Sequence, residues 1–266
     1  MVEIPQAVRE LAEDVPAYGP SRAGDRRIVT PGYIVFLGHT PGPHSTVVAR
    51  LRLAPGEVPS TVAEVRALLR AEGRSVASWE VGSSATPQSL CDELLALNMK
   101  PAAPPFTLTT AMVLPGIPPR TAARPQDVQI TRVSTLADFR RAQEIYWNCF
   151  EFKPDAAALT ELEPNFRRLH DSGIWHCYLA WQGGQPVAAA DAVLTEVGVL
   201  LFGGATLPTA RGHGIYQALV RERWELANRH RMPYLITQAG ALSQPVLAHL
   251  GFVATAEIRN FLDQDF

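Results

Sequence analysis

From Leu114 to Asp127 the chain reads LPGIPPRTAARPQD, and just before it lies KPAAPPF. Proline fixes φ and offers no N–H, so a helix interior or a central strand does not pass through such a run. The stretch lacks an amphipathic period and reads as a semi-extended connector. It divides the 266 residues into an N-terminal α/β domain (1–113), a linker (114–127) and a C-terminal domain (128–266), each of ordinary domain size.

Hydrophobic residues make up 47% and charged residues 19%, enough apolar material for a real core in each part. A formal charge of −2 gives no electrostatic footprint for nucleic acid or an anionic membrane. No apolar run approaches the ~20 residues that span a bilayer. The start, MVEIPQAVRELAEDVP, is acidic and lacks the basic and apolar regions of a signal peptide. Cys91, Cys149 and Cys177 show no CxxC or metal-ligand spacing. The expectation is a cytoplasmic protein with free thiols, no bound metal, and no nucleic-acid or membrane partner.

In the first part, RIVTPGYIVFLGH and STVVARLRL read as strands joined by the turn-forming HTPGPHS. TVAEVRALLRAEG reads as a helix with Val62, Val65, Leu68 and Leu69 on one face, Ser60 or Thr61 as cap and Gly73 at its end. SVASWEVG is a strand. TPQSLCDELLALNM is a helix with Thr86 as N-cap and Pro87 at its first position.

After the connector come the strand VQITRV, the helix LADFRRAQEIYWNCF and a second helical stretch expected to bend at Pro164. A hairpin follows around Gly183–Gly184, then the strand VGVLLFGGATL. ARGHGIYQALVRERWELANRHR passes from a glycine-containing loop into an amphipathic helix. The strand PYLITQAG, the short helix SQPVLAHLGF and a final strand FVATAEIRNFLDQ complete the chain. This order implies a sheet of mixed direction. Strand, loop, helix, strand, turn and short helix occur once from Val47 to Met99 and again from Val197 to Phe252, an echo of pattern and not of residues.

The segment from Arg211 to Ile215 lies between a strand and the first turn of a helix, where main-chain N–H groups lack intrahelical partners and the helix dipole is positive. Gly212 and Gly214 let the backbone approach an anion closely, and Arg211 can add a charge-assisted hydrogen bond. That combination holds a phosphate or pyrophosphate. The bland alternative is a loop whose glycines only make the turn. A dinucleotide fingerprint fails because Gln217 stands where its last glycine belongs, and no Gly-Lys-Ser/Thr follows for a P-loop.

The run Arg211-Gly212-His213-Gly214-Ile215-Tyr216 resembles the R/Q-x-x-G-x-G/A pyrophosphate signature of the GNAT acyltransferases, with Tyr216 in place of the last Gly/Ala. The resemblance covers about Val128 to Phe266, including the WQGGQPVA hairpin and the closing LAHLGF. It implies a GNAT fold of the mixed α/β class. It also implies acetyl-CoA as co-substrate, lying between the strands VGVLLFGGATL and PYLITQAG. The pyrophosphate would be held at Arg211 to Ile215, with Tyr216 at the helical end. The acyl carbonyl would be polarised by backbone N–H groups near Ala205, Thr206 and Leu207. An amine of a small molecule or peptide would attack directly, which requires a base for its proton and an acid or solvent for the thiolate. Dimers are frequent in that family; the oligomeric state stays open.

Relatives place a tyrosine acid four residues before the closing glycine, and here that position is Leu247. Ser243 and His249 lie nearby, the first equally an N-cap and the second equally a surface residue. Asp191, a carboxylate inside the apolar strand PVAAADAVL, is a base if it faces the cleft and merely the polar half of an alternating strand if it faces solvent. Trp147, Phe150 and Phe152 are either core residues or part of an acceptor wall. In the N-terminal half the corresponding loop is APGEVPST, with two prolines and the repelling Glu57. That half reads either as a truncated GNAT-like repeat that has lost its cofactor or as an unrelated α/β domain. Two functions compete for the whole: an N-acetyltransferase, and a non-catalytic acyl-CoA-binding or regulatory protein.

Overall fold

The protein is represented by a computed structural model, which describes residues 3–21, 24–38, 42–104, 106–116, 118–120, 125–264 and 266. Parts of the expected HTPGPHS turn (39–41) and of the connector (117, 121–124) lie outside the described residues. The chain forms two compact units. The first takes in Met1–Val113, Gln238–Ala248 and Val253–Phe266; the second takes in Leu114–Thr237 and His249–Phe252. Contacts thus divide the chain differently from a single cut at the connector, because the last strand is held by the first unit.

In the first unit, two short helices, α1 (Gln6–Glu13) and α2 (Val15–Tyr18), precede the strands β1 (Arg26–Val29), β2 (Ile34–Leu37) and β3 (Thr46–Ala49), which form an antiparallel meander. RIVTPGYIVFLGH is therefore a hairpin and not one strand, broken at Pro31-Gly32. Helix α3 (Val58–Ala71) crosses to β4 (Val76–Gly82), parallel to β3. It starts two residues before the expected caps, with proline in its first turn, where the missing N–H costs nothing. Helix α4 begins at Leu90 and runs to Ala96, not at Pro87. Thr86 is not its cap: Ser89 holds that position, and the Thr86 hydroxyl donates to the Leu53 carbonyl at 3.0 Å.

Next come β5 (Lys100–Pro101) and β6 (Leu108–Pro115), so part of the expected connector is strand. Both pair with β12 (Val253–Gln264), which also pairs with β4. Trp79, Leu51, Val65, Leu69, Leu94 and Phe261 are central to the core of this unit.

The second unit is an antiparallel run of β7 (Val128–Arg132), β8 (Trp175–Gln182), β9 (Gln185–Leu194) and β10 (Val199–Thr206), with β11 (Tyr234–Ala239) parallel to β10. Helix α5 (Leu136–Cys149) starts on Thr135, whose hydroxyl accepts from the Asp138 N–H. The next helical stretch breaks at Glu161 into α6 (Ala156–Thr160) and α7 (Leu162–Asp171). Pro164 then falls in the first turn of α7, where it is tolerated, and not at the bend.

Helices α8 (Ile215–Arg229) and α9 (Gln244–His249) complete the order. Alternation along β8 separates the two faces of this sheet. Cys177 and Leu179 share a core with Phe139, Ala142 and Ile145 of α5. The His176 ring meets His230, just past α8. Among the described residues no helix is long and apolar enough to cross a membrane.

Candidate functional site

β10 and β11 begin as a parallel pair and then part. Their shared register is Val199 with Leu235 and Leu200 with Ile236, after which the Thr237 hydroxyl donates to the Leu201 carbonyl at 3.2 Å. The C-terminal ends of the two strands therefore form a fork. On its other edge β10 stays on β9, but the register shifts between Phe202 and Ala205. Gly203 and Gly204 form this irregularity, Gly203 with φ +58°. A side chain at Gly203 would meet the Tyr146 ring at 3.1 Å, and one at Gly204 would meet the Tyr216 ring at 2.7 Å. A tyrosine from α5 and one from α8 thus close on the two glycines.

Of the three backbone N–H groups near the end of β10, that of Leu207 donates to the Val187 carbonyl at 2.9 Å. The alternation of an antiparallel ladder then turns the Thr206 N–H away from β9, towards the fork, and keeps Ala205 on β9. A turn over Pro208–Ala210 leads into the Arg211–Gly214 loop. Gly214 is the N-cap of α8 with φ +74°, and no side chain caps the helix. Among the described residues, a Cβ on Gly212 would touch nothing within 4 Å, and one on Gly214 would have Pro125 at 3.9 Å. The first-turn N–H groups of α8, those of Ile215 and Tyr216 among them, have no intrahelical partner, which suits a bulky anion. His213 is exposed and Arg211 folds back, its Nε donating to the Thr206 carbonyl at 3.0 Å. Arg211 also faces Cys149, whose thiol burial pushes up and the guanidinium pulls down.

Tyr216 is half-buried, and its ring turns onto Gly204. The hydroxyl is pushed up by burial and drawn down by Arg223. Arg223 is 1% exposed, with Nε on the Leu219 carbonyl (3.0 Å) and Nη1 on the Asp191 carbonyl (3.3 Å). Sequence reasoning missed this arginine. The signal was present: Leu219, Arg223 and Leu226 follow i, i+4, i+7 spacing on the buried stripe of α8.

Asp191 stands opposite Cys177 on β8 and Phe202 on β10, on the face covered by α5. It is half-buried, not a solvent-facing strand residue. Tyr146 and Cys177 surround it, and both are pushed well up, first by burial and then by its charge. Trp175 and Phe202 stack beside it with centroids 5.7 Å apart. Tyr146, not singled out from the sequence, is thus the α5 residue nearest this chemistry. Phe150 stacks on it and remains 47% exposed, as Phe152 does at 52%.

Ser243 is part of the first unit, its hydroxyl donating to the Gly240 carbonyl in a local turn at 3.3 Å. Leu247 is buried and His249 exposed. No group of three metal-ligating side chains occurs among the described residues.

No protein-family model and no curated protein matches the sequence. Solved structures do match by fold. A GCN5-related N-acetyltransferase from Kribbella flavida superposes with TM-score 0.70 at 16% identity, over 96% of this chain and 95% of that one. A tandem GNAT protein from the clavulanic acid biosynthesis pathway gives 0.64 at 15%, over 100% and 90%. A GCN5-related N-acetyltransferase from Sphaerobacter thermophilus gives 0.63 at 13%, over 89% and 82%. The forked β10–β11 pair and the uncapped helix behind it therefore belong to a chain with the GNAT fold, a likeness that extends over nearly its whole length.

Proposed function

We propose that the second unit is an acyl-CoA-dependent N-acyltransferase that moves an acetyl group to an amine of a small molecule or peptide. The observation that carries this reading is the fork. A parallel strand pair opens next to a glycine bulge, and the chain then enters a helix through a glycine N-cap, with room at Gly212 and Gly214 among the described residues. The open loop at Arg211, Gly212, His213, Gly214 and Ile215 suits a pyrophosphate. The Thr206 N–H is directed to polarise an acyl carbonyl, with Ala205 and Leu207 fixing that segment to β9. Tyr216 lies on Gly204, so its bulk is directed towards the sheet.

Acetyl-CoA supplies an activated acyl group. The amine nitrogen attacks the thioester carbon, the C–N bond forms and the C–S bond breaks. Asp191 accepts the proton that the amine loses, and the thiolate takes one from solvent. Phe150 and Phe152, exposed beyond Tyr146, give the acceptor side an apolar rim.

A second reading, a non-catalytic acyl-CoA-binding protein, is favoured by Leu247, buried and apolar at the position where the family signature carries an acid. One experiment separates the two. Acetyl-CoA should raise the melting temperature of the wild type and not of Arg211→Glu, and a panel of amines should release free thiol. Asp191→Asn should keep the thermal shift while thiol release falls about 100-fold or more. A thermal shift without turnover on any amine supports the binder. An unchanged shift in Arg211→Glu removes the site assignment.

A further inference from the structure

Where β7, β8 and the C-terminal end of α8 meet, the second unit gathers positive charge around a buried imidazole. Arg132 is the cross-strand neighbour of Tyr178, so both lie on the α8 face together with His176, two residues before Tyr178 on the same strand. Arg229 ends α8 and His230 follows it. The His176 and His230 rings meet edge-on, centroids 6.1 Å apart. His176 is 5% exposed, and neither of its ring nitrogens has a hydrogen-bond partner among the described residues.

Arg132, Arg229 and His230 are exposed, and none of their side chains makes a hydrogen bond or ion pair among the described residues. Cations in the last turn complement the dipole of α8, which accounts for Arg229 and His230. It accounts neither for Arg132 on β7 nor for a buried imidazole kept without partners, an arrangement that costs stability for each unsatisfied group. We propose that this corner is a binding site for a small oxyanion of the phosphate or carboxylate class, held by Arg132, His176, Arg229 and His230.

The electrostatics agree with the geometry. His176 is pushed down to about 4, first by burial and then by the charges of Arg132, His230 and Arg229. Glu222 also acts on Tyr178, where Arg229, Arg132 and Arg223 oppose it. A bound anion would satisfy the imidazole N–H and allow the ring to charge.

The site is read through His176 itself, by NMR titration of its ring in the full chain, and its result does not depend on acyl-CoA chemistry. Inorganic phosphate and succinate are the probes, run in parallel. The expected result is a saturable rise of the His176 midpoint by about one pH unit or more with at least one of them. Arg132→Gln should weaken that effect about tenfold or more. A phosphate-only or succinate-only response names the anion class. Melting temperature at pH 7 gives a second reading in an Arg211→Glu background, where the loop before α8 is disabled: phosphate or succinate should stabilise it, and Arg132→Gln should remove the effect. A His176 midpoint unmoved by both anions, or an effect undiminished in Arg132→Gln, overturns the proposal.

Discussion

Replacing Glu80 by Gln should stabilise the protein at pH 8 and leave it nearly unchanged at pH 4.5. Along β4, Ala77, Trp79 and Val81 point into the apolar core of the first unit, so Glu80 takes the other face, and its Oε2 is buried without a hydrogen-bond partner among the described residues. Burial, and after it the charge of Asp14, raise its carboxyl from 4.5 to about 7. Because the folded pKa lies above the unfolded one, the folded chain binds the proton more tightly, and stability falls as pH rises from 4.5 through 7. At about 1.4 kcal/mol per pH unit, the full rise corresponds to roughly 3 kcal/mol of destabilisation above pH 7. Glutamine keeps the shape and carries no charge at any pH, so most of that amount should be recovered at pH 8. Urea unfolding of both proteins at the two pH values, followed by tryptophan fluorescence, reads the difference as a shift in midpoint at constant slope. A variant no more stable than wild type at pH 8, or equally stabilised at both pH values, would show that Glu80 is not held protonated by its surroundings.

Gly204→Val places a side chain against the Tyr216 ring, which lies 2.7 Å from the position its Cβ would take, and should cost about 1–3 kcal/mol, with part of the loss relieved by Tyr216→Ala in a double-mutant cycle; strictly additive losses would mean that the ring is not what fills the bulge. Calorimetric titration with acetyl-CoA should give one site per chain, and two sites of similar affinity would contradict the assignment of binding to the second unit alone.

Several features were legible because they are local. Gly73 after the Val62–Leu69 stripe, Gly183–Gly184 between apolar runs, and Gly214 ahead of the Ala218–Leu219 stripe each specify an end or a turn within a few residues, and the structure puts the end of α3, the β8–β9 hairpin and the start of α8 there. The misses are of two kinds. LTTAMVL is β-prone, but its flanking prolines disguise it, and it becomes a strand because β12 supplies the ladder. β12 itself pairs with β4, about 180 residues earlier by its register of Ile258 with Gly82, a choice no local signal encodes. The candidate site divides in the same way. The anion loop could be read from residue order, whereas the meeting of Asp191 with Tyr146 and Cys177 depends on which face β9 turns to α5, and the burial of Arg223 depends on that packing as well.

The echo between the two halves is topological, and the chemistry of the two loops explains why it need not extend to binding. In each unit a helix joins two strands that are parallel for only two residues: Val47 and Val48 with Ser78 and Trp79 in the first, Val199 and Leu200 with Leu235 and Ile236 in the second. Beyond that point the second unit has a glycine bulge and an uncapped helix. In the first unit Arg50, Leu51 and Arg52 follow β3 in place of the glycines, although α3, like α8, starts without a side-chain cap. Its strands are drawn together again by a bridge between Arg52 and Thr86, and the Asp14 carboxylate accepts from the Arg50 N–H at 3.0 Å and pairs with Arg52 at 3.2 Å. In the loop before α3, Glu57 Oε2 accepts from the Ala54 N–H at 2.8 Å, so a carboxylate already stands in that loop. A carboxylate already in place repels a second anion and takes up the Ala54 N–H. Asp14 and Glu57 thus tie the first unit's strand ends and loop to its own backbone, which is why the acyl-CoA site proposed for the second unit is not extended to the same strand–helix–strand topology in the first.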